Sequence, residues 1–212
     1  MNTLLNKTIV RLFIGIVVAF QYPALTQAAT VYNNLGTSDS YGSTGSTFGF
    51  GGSQLAYSFT APTSFFLDSI EVAVSGATNG TTIGVHLASN LSGGLEPDSL
   101  LESSSVFAFS SPALRAAPFS GSTPVNASGT YWVLLDCQTG CGTNPTWFDN
   151  STGALSDKAT RASSTGSWLV LNSATQGAMR INSTVVPLPP AFWLFGSALL
   201  GLVGIGRRKA AR

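Results

Sequence analysis

Two cysteines, one histidine, nine acids and four tryptophans are the residues of this 212-residue chain whose chemistry could build a site. Cys137 and Cys141 close the run Cys137-Gln138-Thr139-Gly140-Cys141 and have no other cysteine to pair with. In an oxidising compartment that spacing leads us to expect a disulfide around a small loop. A zinc site would need further Cys or His ligands, and His86 is the one histidine. A redox-active pair is expected at Cys-x-x-Cys spacing, which these residues lack. His86 falls on the polar face of an alternating run and reads as a surface histidine. One His among many serines defines no Ser-His-Asp set, and the Gly-x-Ser-x-Gly elbow is absent. Glu96, Asp98 and Glu102 gather about one turn. They read either as a solvated turn or, with backbone carbonyls, as an oxygen site for calcium. Nothing in the pattern selects a pair of acids for glycoside hydrolysis. Trp132, Trp147 and Trp168, with Tyr131 and Phe148, read either as core or as an aromatic platform for a sugar ring. Trp147 follows Asn144-Pro145 and is expected in a loop, the most exposed of the three and the candidate glycan contact. No pattern selects a metal, a cofactor or a catalytic set.

The elements that must position these residues show a period of two. Leu55, Tyr57 and Phe59 alternate with polar or small residues, as do Ile70, Val72 and Val74, and Ile83, Val85 and Leu87. Val106 to Phe109 is a short apolar run. Tyr131 to Leu135 is apolar at every position and predicts a strand buried on both faces. Trp168 to Leu171 and Met179 to Ile181 predict two more. Turn signals separate them at Asn79-Gly80, Ser92-Gly93-Gly94, Glu96-Pro97-Asp98, Ser128-Gly129 and Thr165-Gly166. Residues Ser38 to Gly52 are Gly/Ser-rich and predict a loop. The expected fold is all-β, a β-sandwich or jelly roll, in one domain over residues 29–185.

Charge is sparse, 9% of residues against about 25% in ordinary soluble domains. All nine acids lie between Asp39 and Asp157; Arg115, Lys158, Arg161 and Arg180 are the only bases of the middle region, and the other six flank the ends. An acidic middle without a Lys/Arg cluster argues against a nucleic-acid partner.

The two ends are apolar and flanked by base. Lys7 and Arg11 precede Leu12 to Phe20, a run too short to span a bilayer. Small residues follow at Thr26, Ala28 and Ala29. This order predicts a signal peptide over residues 1–28, cut by signal peptidase between Ala28 and Ala29; the alternative is an uncleaved anchor. At the other end Pro187, Leu188, Pro189 and Pro190 lead into the apolar run Ala191 to Gly206, then Arg207, Arg208 and Lys209. The run would span about 24 Å as a helix. Phe192 and Trp193 fit an interfacial position, and the basic tail 207–212 fits the cytoplasmic side. The prolines hold the chain extended just outside the helix, as a processing enzyme requires.

The segment VPLPPAFWLFGSALLGLVGIGRRK, within residues 186–212, resembles the PEP-CTERM sorting signals of Gram-negative bacteria that make exopolysaccharide. It differs in having Leu188, where the name motif has Glu, between Pro187 and Pro189. The resemblance implies recognition by exosortase, a membrane-embedded cysteine transpeptidase, after transient anchoring in the inner membrane. The middle resembles the choice-anchor ectodomains of R type through Asn33-Asn34-Leu35-Gly36, through Ile83 to Ala88 with Gly93-Gly94-Leu95-Glu96-Pro97, and through Thr130 to Leu134 with Trp147. These resemblances imply a non-enzymatic protein of the cell surface or extracellular matrix. Two alternatives stand beside it, a module that binds exopolysaccharide and a secreted hydrolase.

Overall fold

The computed structural model describes residues 28–184 apart from 77, 79 and 143, and within them the chain is all-β. Thirteen strands form: β1 Ala29–Asn33, β2 Tyr41–Thr47, β3 Gln54–Thr60, β4 Phe65–Ser75, β5 Thr81–Asn90, β6 Pro97–Ala108, β7 Ala113–Pro118, β8 Pro124–Val125, β9 Thr130–Thr139, β10 Thr146–Asn150, β11 Leu155–Arg161, β12 Leu169–Thr175 and β13 Met179–Ser183. They make two antiparallel sheets. The first runs β1-β13-β4-β10-β2, with β7 and β8 also paired to β4. The second runs β12-β11-β3-β9-β5-β6.

The alternation seen in the sequence sets the faces. Leu55, Tyr57 and Phe59 of β3, Val133 and Leu135 of β9, and Ile83, Val85 and Leu87 of β5 point into one core. They meet Leu67, Ile70, Val72 and Val74 of β4, with Met179 and Ile181 of β13. Each such side chain contributes about 1.5–3 kcal/mol on burial. Tyr57 is carried inside with them, and burial pushes its phenol up to about 12 although Ser46 shares a hydrogen bond with it.

The second sheet has apolar residues on its other face too. Ala56, Ala88, Trp132, Leu134 and Ala159 form a separate buried strip there, with Trp168 and Val170 packed against it. This explains why Tyr131 to Leu135 reads as apolar without alternation.

The segment Ser38 to Gly52, expected as a loop, contains β2, paired residue by residue with β10 through Thr47↔Thr146 and Ser46↔Trp147. Its Gly, Ser and Thr residues suit a sheet edge where the partner strand comes close. A Cβ on Gly45 would lie 2.4 Å from the Trp147 carbonyl oxygen.

The first and last strands pair with each other, Ala29 opposite Ser183 and Asn33 opposite Arg180. Beyond β1 a buried amide fastens this closure. Asn34 Oδ1 accepts the Met179 N–H at 2.7 Å, and Asn34 Nδ2 donates to Gln176 Oε1 at 2.8 Å and to the Gly177 carbonyl at 2.9 Å. Gln176 also accepts from the Tyr32 hydroxyl and donates to the Ser58 carbonyl of the opposite sheet. No helix among the described residues is long and apolar enough to cross a membrane. The expected helix over 191–206 and the signal peptide up to residue 27 lie outside the described residues.

Candidate functional site

Side chains with chemistry gather on the outer face of the second sheet, where five neighbouring strands each contribute one. Arg161 of β11 stands opposite Gln54 of β3, and its Nε donates to Gln54 Oε1 at 2.5 Å. Gln54 Nε2 donates to Asp136 Oδ2 of β9 at 3.3 Å. Asp136 Oδ1 faces His86 Nε2 of β5 at 3.3 Å. His86 Nδ1 in turn shares a hydrogen bond with the Ser103 hydroxyl of β6 at 2.8 Å. With strands about 4.8 Å apart, the row is about 19 Å long.

Gly84 makes the middle of this row. Asp136 pairs with Gly84 in the ladder, and a Cβ on that glycine would lie 2.1 Å from Asp136 Oδ1 and 2.7 Å from His86 Nε2. Only the bare backbone lets the carboxylate and the imidazole converge over the strand. Their approach is at ion-pair distance, but it is not in line. Both His86 Nε2 and Asp136 Oδ1 are buried without a hydrogen bond of normal geometry. Burial opposes ionisation of Asp136 most strongly, yet contact with His86, the Gln54 amide and the Gly84 N–H together hold its carboxyl below the usual aspartate value. At the β11 end, the Arg161 guanidinium lies 4.3 Å over the Trp168 ring. Such stacking fixes the plane of the fork. At the β6 end, Ser103, Ser105 and Phe107 are exposed.

The serine, histidine and aspartate of this row are in the order of a proton relay. Ser103 differs from an elbow nucleophile in its backbone. It lies mid-strand, opposite His86 in the ladder, so the surrounding N–H groups run in the plane of the sheet while its hydroxyl projects from it. Acyl transfer also needs donors aimed at the oxyanion.

The sequence-expected residues are placed as follows. Cys137 and Cys141 lie at disulfide-bonding distance, with Cα atoms 6.0 Å apart. His86 is a correction: it is 7% exposed, because the face opposite the main core is itself covered by side chains. Trp147 is a second correction. It sits in β10 with 0% exposure, its Nε1 donates to the Ala178 carbonyl at 3.0 Å, and Tyr57 meets it edge-on at 4.9 Å between ring centroids. The Asn144-Pro145 turn precedes the strand instead of continuing past the indole, so Trp147 presents no face to a sugar. Trp132 is likewise buried, donating to Asn90 Oδ1. Glu102 leaves its neighbours in the acidic turn. Its carboxylate accepts the Ser120 N–H and the Thr123 hydroxyl. Among the described residues no three His, Cys, Asp or Glu converge as a metal site. Ala28 and Ala29 are exposed at the start of β1, whereas Pro187, Leu188, Pro189, Pro190, Arg207, Arg208 and Lys209 lie outside the described residues.

The row Arg161–Gln54–Asp136–His86–Ser103 was missed by sequence reading because its members lie up to 107 positions apart. The one available signal was a polar triplet of alternation, Gly84 and His86 opposite Asp136, inside otherwise apolar strands. No family model matches the chain, and no curated protein matches it either.

Proposed function

We propose that this chain is an exported, non-enzymatic protein of a bacterial cell surface or extracellular matrix. Signal peptidase removes the first 28 residues, the run 191–206 holds the protein in the membrane, and exosortase acts at the Pro187–Ala191 segment. The observation that supports this best is the fit of the folded unit between the two expected processing points. β1 opens at Ala29 and β13 closes at Ser183, with the two strands paired. Cutting on either side would leave the sheets whole. The Cys137–Cys141 pair points the same way, since disulfides persist in oxidising compartments.

The test is the intact mass of the protein isolated from its host. The expected product begins at Ala29, lacks Arg207 to Arg212 and has no free thiol. A full-length product in the cytoplasm with both thiols reduced would overturn the proposal.

A hydrolase is the second reading, favoured by the Ser103–His86–Asp136 line. It predicts that a fluorophosphonate probe labels Ser103 and that His86→Ala abolishes labelling. An unlabelled, folded protein rejects it.

A further inference from the structure

We propose that the polar row on the outer face of the second sheet is a binding site for a neutral polysaccharide lying across the strands. This deepens the surface-protein reading by giving its ectodomain a ligand class and a place.

The chemistry of the ligand follows from what the row leaves unmet. His86 Nε2 and Asp136 Oδ1 face each other, both buried and both without a hydrogen bond of normal geometry. With the His86 proton on Nε2, one site must donate and the other must accept. A single atom that does both at once is a hydroxyl oxygen. A peptide N–H only donates, a peptide carbonyl only accepts, and a phosphate offers only acceptors to an aspartate. The space over Gly84 is filled, with Gln138 Nε2 within 2.7 Å of the position a Cβ would take, so the pair is reached only when Gln138 moves. Gln138 is exposed, so its side chain can swing aside and return as a further donor or acceptor.

The rest of the row continues the same pattern. Arg161 commits Nε to Gln54 and its flat face to Trp168, which leaves its terminal amino groups as a fixed donor fork. Ser103 and Ser105 extend the polar line on β6, and Phe107, 68% exposed, supplies a ring at its end for the apolar face of a sugar. Arg161 and Asp136 cancel in charge, so the row favours an uncharged polyol over a polyanion. At about 19 Å it suits an extended chain more than one small molecule.

The experiment is affinity electrophoresis of the full chain, exported in a Gram-negative host and purified in mild detergent. Gels contain dextran, galactomannan or alginate. Retardation by at least one of the neutral polymers is expected, weakened about tenfold or more by Arg161→Ala and by Phe107→Ala. Lys158→Ala, on the opposite face of the same sheet, should bind as wild type. Circular dichroism establishes that each variant is folded; should Arg161→Ala unfold, Phe107→Ala, altered at an exposed position, decides alone. Absence of retardation by both neutral polymers, retardation by alginate alone, or retardation unchanged in the folded variants overturns the proposal. Because binding is read on purified protein, its failure is distinct from a failure of sorting, which the mass of the host protein reads.

Discussion

Asn34 shows how one short polar side chain can hold two distant parts of the fold. It is 4% exposed, and its amide satisfies partners on Gln176, Gly177 and Met179. Asn34→Ala would leave a buried N–H and a buried carbonyl unpaired, each costing about 1–3 kcal/mol. We expect a loss of about 3 kcal/mol in urea unfolding, with the slope unchanged. Asp136 gives the pH dependence. Its carboxyl titrates below the ordinary 3.8, so its contribution is present above that value and is lost as pH falls through the lower, folded one. Asp136→Asn should therefore be less stable than wild type at neutral pH, and unfolding curves taken at successively lower pH should show the gap closing as the folded carboxyl is protonated. Neither role was legible in the sequence. In the sequence Asn34 carries no mark of the three partners it holds. For His86, period-two alternation distinguishes two faces but does not say whether the polar one meets water. Trp147 was misplaced for a related reason: a proline marks where a turn is, not how soon the next strand begins.

At the scale of elements, the legible strands were those with bulky alternating residues. β3, β4, β5 and β9 each carry a run of three Leu, Ile, Val, Tyr or Phe residues at alternate positions. Strands β2, β7 and β11, which like β1 and β8 the pattern does not show, consist mostly of Gly, Ser, Thr, Ala, Arg or Lys. They have few bulky residues at alternate positions to mark a buried face, and tertiary pairing assigns them. β10 contains Trp147 but is only five residues long, too short to show a period. The disulfide loop sits at the end of β9 and spans a sequence separation of 4. A ring that small constrains little unfolded chain, so its loss should cost about 2 kcal/mol, the low end of the usual range. The Cys137→Ser/Cys141→Ser double variant should remain folded with that modest shift in its urea midpoint. A drop of more than about 4 kcal/mol would mean that the loop organises the neighbouring β5–β9 ladder instead of decorating it.

At the scale of the whole folded unit, the controlling feature is that chain closure runs through its first and last strands. β1 has one partner, β13, and it is half-exposed. Its contribution is nevertheless more than five residues of ladder. Tyr32 packs on Phe59 across the sandwich with ring centroids 5.4 Å apart, and its hydroxyl bonds Gln176, the residue that also holds Ser58 and Asn34. Removing β1 would expose an edge of β13 and leave Gln176 short of a partner. Counting one partly buried aromatic side chain, one buried hydrogen bond and the ladder, deletion of residues 29–33 should lower stability by about 3–5 kcal/mol. The corresponding observable is the urea midpoint of an exported variant whose signal peptide joins directly to Asn34, compared with wild type matured at Ala29. If the deletion leaves the midpoint unchanged, β1 is dispensable and the proposed signal cleavage is free to drift into the domain. If it falls as expected, the proposed cleavage between Ala28 and Ala29 has no room to move into the domain, because the strand that closes the sandwich begins at Ala29.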